Sequence, residues 1–289
     1  MVIPNPREAL FNKYTQSERE LSGDEQWLYD YFEKIVRDGK LRMEDFDDVY
    51  GELVIKGDKE SLRLSKSRYG DKEKHQIASV VEWMMFDQIE KSNWLGEETY
   101  TYLTSDFDDV RGGADLVIEF PVGENEWRRM AVDVTVSEES AKKKVLSTKE
   151  DALEERLSKV KYFESYAEEY KREIRDLPKI VLGMDVEAFK SITTELVRKL
   201  RDNKQEEILE IGDLKRQMLE MIVSQSEYFK DVSHNAKVKR VYGEVKDYFK
   251  KVLDGIEMSQ AKRPRLDNKV WETVEKTIEE EKIKTNPRN

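Results

Sequence analysis

The chain has 289 residues, 38% of them hydrophobic and 39% charged, with a net charge of −11 and no cysteine. That length suits one large domain or two modest ones, and the missing thiols exclude disulfides, cysteine-ligated zinc and a cysteine nucleophile. The acidic balance counts against a protein living on non-specific duplex contacts, which is more often basic.

No apolar run reaches membrane-spanning length, and the opening Met-Val-Ile-Pro-Asn-Pro has no signal-peptide pattern. A soluble, cytoplasmic protein with no membrane partner is therefore expected. The two histidines, His75 and His234, lie too far apart in sequence to suggest a histidine-rich metal site.

After an irregular start, Ser22 and Asp24 can cap a helix whose large residues at 27, 28, 31, 32, 35 and 36 share one face. A short helix is expected around Met43 to Tyr50, and residues 52–69 read as mixed. Residues 71–92 read as a strong helix in which Glu82 stands among apolar neighbours, from Ile77 to Phe86. A strand follows at Thr99 to Leu103, then an acidic loop from Ser105 to Asp109.

Gly112-Gly113-Ala114-Asp115-Leu116-Val117-Ile118 and Met130-Ala131-Val132-Asp133-Val134-Thr135 read as the arms of a β-hairpin. Folding about position 124 sets Asp115 opposite Asp133, since each is nine residues from that centre. Alternation points Asp133 and Thr135 one way and Val132, Val134 and Val136 the other, into a core. Two facing aspartates repel unless a cation sits between them, which makes the pair a candidate metal site.

Residues 137–175 read as a long charged helix ended by Pro178, followed by a buried strand over 179–184 and a helix opened by Asp185. From 203 onward the chain reads as all-helical. Residues 236–251 carry six basic and two acidic residues, a solvated face or a nucleic-acid contact, and the basic run from Lys262 to Arg265 separates off a last charged helix. Met218 and Met221 fit either a docking face or a core.

The order of a helix with a buried Glu, a strand, an Asp-bearing strand, an Asp-x-Thr strand, a helix, a strand and a helix resembles the PD-(D/E)XK nuclease superfamily. The likeness covers roughly residues 70–202. It implies an α/β fold with a restriction-endonuclease-like αβββαβ core and a mixed four-stranded sheet. Residues 1–69 would form an N-terminal helical extension and 203–289 a C-terminal helical segment.

Glu82 matches the family's first-helix acid, Asp115 the acid after a tight glycine turn, and Asp133 the acid of the third motif. The resemblance implies metal-dependent phosphodiester hydrolysis of nucleic acid, DNA ahead of RNA. Mg²⁺, with Mn²⁺ as a substitute, would be held by Asp115, Asp133, Glu82 and the carbonyl of Val134, with Asp108 or Asp109 as outer ligands. The family's lysine position is occupied by Thr135. One of Lys142, Lys143 and Lys144 would have to reach back from the next helix, with Lys142 or Lys143 preferred. The alternatives are an inactive nuclease-fold protein that binds nucleic acid or a protein partner, and a helical scaffold that forms a homodimer through the segment after 203.

Overall fold

The computed structural model describes residues 21–69, 76–202, 209–257 and 266–285. Helix α1 (Gly23–Gly39) starts at a capping box, with Ser22 Oγ accepting from the Glu25 N–H at 3.3 Å and Glu25 accepting from the Ser22 N–H at 2.6 Å. Its expected stripe is real, because Leu28, Phe32 and Val36 are buried. The chain then makes a 3₁₀ turn (Met43–Phe46) and two helices, α2 (Asp47–Tyr50) and α3 (Glu52–Tyr69). The stretch expected to be mixed is thus a single helix. Helix α4 (Gln76–Ser92) carries Glu82.

Strand β1 (Tyr100–Leu103) leads to α5 (Asp106–Gly112), a helix where an acidic loop was expected. Ser105 caps it by accepting from the Asp108 N–H at 3.2 Å. Gly113, at φ +60°, closes it in the left-handed conformation that glycine adopts without steric cost. That sharp turn starts strand β2 (Leu116–Gly123) directly after Asp115, and β3 (Glu126–Thr135) returns beside it.

Helix α6 ends at Leu153 (Glu138–Leu153). The long helix expected to continue to residue 175 is replaced by four short strands: β4 (Ser158–Val160), β5 (Glu164–Ser165), β6 (Tyr170–Lys171) and β7 (Ile174–Leu177). β4 pairs with β7 and β5 with β6, both antiparallel. Glu155, just past the end of α6, Glu169, in the turn between β5 and β6, and Asp176, at the irregularity within β7, all take positive φ without the glycines that usually mark it. The driving force is burial. The sheet face carrying Val117 and Ala131 needs a cover, and Val160, Phe163, Ile174 and Leu177 supply it.

Strand β8 (Lys179–Gly183) completes a four-stranded sheet of order β1-β2-β3-β8. The first two pairings are antiparallel, and β3 with β8 is parallel. Four helices follow: α7 (Val186–Asp202), α8 (Leu209–Val232), α9 (Ala236–Glu257) and α10 (Lys269–Thr285). β8 is an edge strand, and its outward backbone is capped by a side chain of α8. Gln225 accepts from the Val181 N–H at 2.9 Å and donates to the Val181 carbonyl at 2.8 Å. A glutamine thus does for Val181 what a fifth strand would otherwise do.

One core joins the other sheet face (Ile118, Val132, Val134), α4 and the C-terminal helices. Met218 and Met221 are fully buried in it, so they are core residues of this chain and not a docking face. No helix among the described residues is long and apolar enough to cross a membrane. The Lys262–Arg265 run and His75 lie outside the described residues.

Candidate active site

The hairpin register is Leu116 opposite Val132 and Ile118 opposite Met130, which is a fold about position 124. Continued by one residue, it sets Asp115 against Asp133. The Asp115 N–H donates to the Val132 carbonyl at 2.8 Å, and Asp115 Oδ2 accepts from the Val134 N–H at 2.7 Å. Thr104 holds the same corner: its N–H donates to the Asp115 carbonyl at 3.1 Å and its hydroxyl to the Ala114 carbonyl at 2.5 Å. Asp115 is therefore fixed by backbone bonds from Thr104, just after β1, and from β3.

Asp133 sits near the C-terminal end of β3, beside Val181 of β8, and is 9% exposed. A carboxylate so enclosed needs a cationic partner. Lys144 of α6 provides it, donating to Asp133 Oδ1 and, at 2.9 Å, to the Val134 carbonyl. The lysine that reaches back is thus the third of the triplet. Lys142 faces Glu280 of α10 at 3.5 Å, and Lys143 faces Glu139 one turn back at 2.5 Å. Helical geometry separates them, because consecutive residues point about 100° apart and only one of three can face the strand.

A second ammonium lies close by. A methyl group built on Gly113 would stand 3.7 Å from Lys179 Nζ and 4.0 Å from Asp133 Oδ2. Thr135, at the position where the resemblance calls for lysine, is 6% exposed. Its hydroxyl accepts from the Ser137 N–H at 3.3 Å, which ties it to the start of α6.

Glu82 is buried on α4, a helix that packs on β1 and β3. No group of three or more histidine, aspartate or glutamate side chains among the described residues has the geometry to hold a metal ion. The structure thus unites Asp115, Val134, Asp133 and Lys144, with Lys179 at the rim, and does not gather Glu82 into a three-carboxylate cluster with the aspartates.

Asp108, an outer ligand in the sequence reading, is engaged elsewhere. It accepts from the Lys161 N–H at 2.7 Å, the Tyr162 N–H at 3.1 Å and the Ser105 hydroxyl at 2.8 Å, anchoring the β4–β5 connection. Burial still holds its carboxyl above the ordinary range, against the pull of these bonds.

No family model, curated protein or solved structure matches the chain. Function therefore rests on this chain's own residues. The donors at the site are carboxylate and carbonyl oxygens, which are hard ligands of the kind Mg²⁺ prefers. A cation already rests on two of them: the Lys144 ammonium bridges Asp133 Oδ1 and the Val134 carbonyl, so this oxygen pair fits positive charge.

Proposed function

We propose that the protein hydrolyses phosphodiester bonds of nucleic acid, DNA ahead of RNA, at a divalent-metal site built on Asp115 and Asp133. The observation that carries this reading is their convergence on adjacent strands with an ammonium from the next helix. The order α4-β1-β2-β3-α6-β8, with its two antiparallel and one parallel strand pairings, supports a restriction-endonuclease-like core of the PD-(D/E)XK kind.

Asp115, Asp133 and the Val134 carbonyl would hold Mg²⁺ or Mn²⁺, with Glu82 contributing through water at most. When bound, the metal supplies Lewis-acid charge that lowers the pKa of a water and offsets charge on the pentavalent transition state. Asp115, locked by the Val134 N–H, keeps its remaining oxygen lone pairs in a fixed direction. The Lys144 ammonium, able to pass from Asp133 to a phosphate oxygen, takes the part of the lysine for which Thr135 stands. Thr135 positions the start of α6, and hence Lys144, through Ser137.

The test is cleavage of single- and double-stranded DNA and RNA with Mg²⁺ or Mn²⁺, comparing the native protein with Asp133→Ala and Lys144→Met. Metal-dependent cutting lost in both variants supports the proposal. Cutting that survives Asp133→Ala overturns it.

A second reading has its own observation. Lys144 already neutralises Asp133, and among the described residues no third carboxylate joins the pair in a metal-holding group. A nuclease fold that binds nucleic acid without cutting would look the same. It predicts binding with no cleavage in any metal, and no metal-induced rise in thermal stability.

A further inference from the structure

At the other end of β3 lies a cavity of about 510 Å³. It is an open cleft bordered by the start of β3, the β6–β7 stretch and the first half of α9. Five arginines line it (Arg128, Arg129, Arg172, Arg175 and Arg240), against three carboxylates, in a chain whose net charge is −11. Basic charge is therefore concentrated here against the trend of the molecule.

The arginines are not equivalent. Arg128 and Arg240 both hold Glu244, at 2.7 and 3.2 Å, and so form a fixed wall. Arg172 is exposed, lies over the Tyr170 ring at 4.1 Å and makes no ion pair among the described residues. Arg175 is also exposed and, among the described residues, forms an ion pair only with Glu173, two residues away. Exposed pairs of this kind are weak and exchange readily for a better anion. One further polar atom on a lining residue, Arg129 Nε, is buried with no hydrogen-bond partner among the described residues, and such an unmet donor is costly to keep.

Aromatic faces complete the lining. Trp127 stands beside Tyr100 with ring centroids 5.5 Å apart, and Tyr170 lies under Arg172. The volume falls within the usual range for small-molecule sites. Planar guanidinium forks match phosphate oxygens, and flat rings match the face of a base. The carboxylates Glu173 and Asp176 can accept from base amino groups or sugar hydroxyls, donors that an acidic peptide side chain lacks.

We infer that this cavity binds a nucleotide, either free or as one unit of a single strand, with phosphate on Arg172 and Arg175 and the base against Trp127. The part of β3 that lines the cavity, Trp127 to Arg129, stands four to six residues from Asp133, about 13–20 Å at strand rise. The inference therefore does not depend on catalysis at the aspartates.

The experiment measures binding in EDTA, so that no metal site contributes. The probes are dAMP by calorimetry and a labelled oligo-dT by fluorescence anisotropy, with inorganic phosphate and poly-glutamate as competitors. The proteins are the native chain, Arg172→Ala/Arg175→Ala, Trp127→Ala and, as an exposed arginine outside the cavity, Arg63→Ala. The expected result is salt-sensitive binding that weakens about tenfold or more in the arginine pair and in Trp127→Ala, and is unchanged in Arg63→Ala. Binding of dAMP assigns a free nucleotide, and binding of oligo-dT alone assigns a strand. Arg172 and Arg175 are exposed, so the double variant folds, and its circular dichroism checks this. No binding of either probe, binding unaffected by the arginine pair, or phosphate or poly-glutamate competing as well as dAMP would overturn the inference.

Discussion

Replacing Lys144 by Met removes the ammonium while keeping the aliphatic stem that packs along α6. It leaves Asp133 Oδ1 and the Val134 carbonyl without their donor. The side chains are 13% exposed at Asp133 and 32% exposed at Lys144, so the pair lies between two limits. A solvent-exposed pair contributes about 0–1 kcal/mol, and breaking a fully buried one costs about 3–5 kcal/mol. A loss of about 2 kcal/mol is expected for Lys144→Met. In a chain of 289 residues that is about 3 °C in Tm. Asp133→Asn removes the charge that makes the lysine necessary, so the double variant should recover part of the loss. The assay is a double-mutant cycle by urea denaturation, with an expected coupling energy of about 1–2 kcal/mol between the two positions. A coupling within about 0.3 kcal/mol of zero would refute both the pairing and the role given to Lys144.

Gly183→Ala would set a methyl carbon 1.9 Å from the Thr135 carbonyl oxygen, which neither strand can avoid without parting β3 from β8. It should cost about 3 kcal/mol or more, whereas Gly57→Ala on α3, with nothing within 4 Å, should gain about 0.5–1 kcal/mol; thermal melts giving both the same sign would contradict this. Gln225→Leu strips the cap from the Val181 N–H and carbonyl at the β8 edge and should cost about 3 kcal/mol, with faster amide exchange at Val181; native-like exchange there would rule out the cap. Lys149, and after it Lys284, hold the Glu281 carboxyl below the ordinary range through bonds of 2.5 and 2.6 Å. A lowered folded-state pKa means stability that is present above the usual glutamate range and lost as pH falls through the folded value. Glu281→Gln should thus lower Tm at pH 7, with the difference from the native chain closing as the pH is taken down toward 3. A difference constant with pH would exclude the charge as its cause.

Periodicity made much of this molecule readable in its sequence. The α1 stripe, the α4 helix, the β2–β3 hairpin and the β8 strand each carry a spacing that only one secondary structure can bury. The hairpin register was readable for the same reason, because a slip of one residue would turn Val132 and Val134 out of the core and Asp133 into it. Asp115 and Asp133 could therefore be paired from a count of residues.

What the sequence could not determine follows from interactions that leave no local mark. The run from Glu154 to Asp176 carries the Glu/Lys texture of a solvated helix, yet it folds as two antiparallel strand pairs, β5–β6 lying between β4 and β7 in the chain. The far face of the sheet must be covered, and the left-handed backbone positions that shape this segment fall on Glu155, Glu169 and Asp176, where no glycine marks them. The arginine-lined cavity belongs to that segment, so it was invisible with it. Which lysine of the triplet reaches Asp133 depended on the rotation of α6 about its axis, and that is fixed by Ala141 and Val145 in the core. The fate of Met218 and Met221 depended on α8 lying against β8, where Gln225 closes the sheet edge. Spacing specifies which face of an element must be buried; only the assembled chain specifies against what, and so which polar groups are left facing one another.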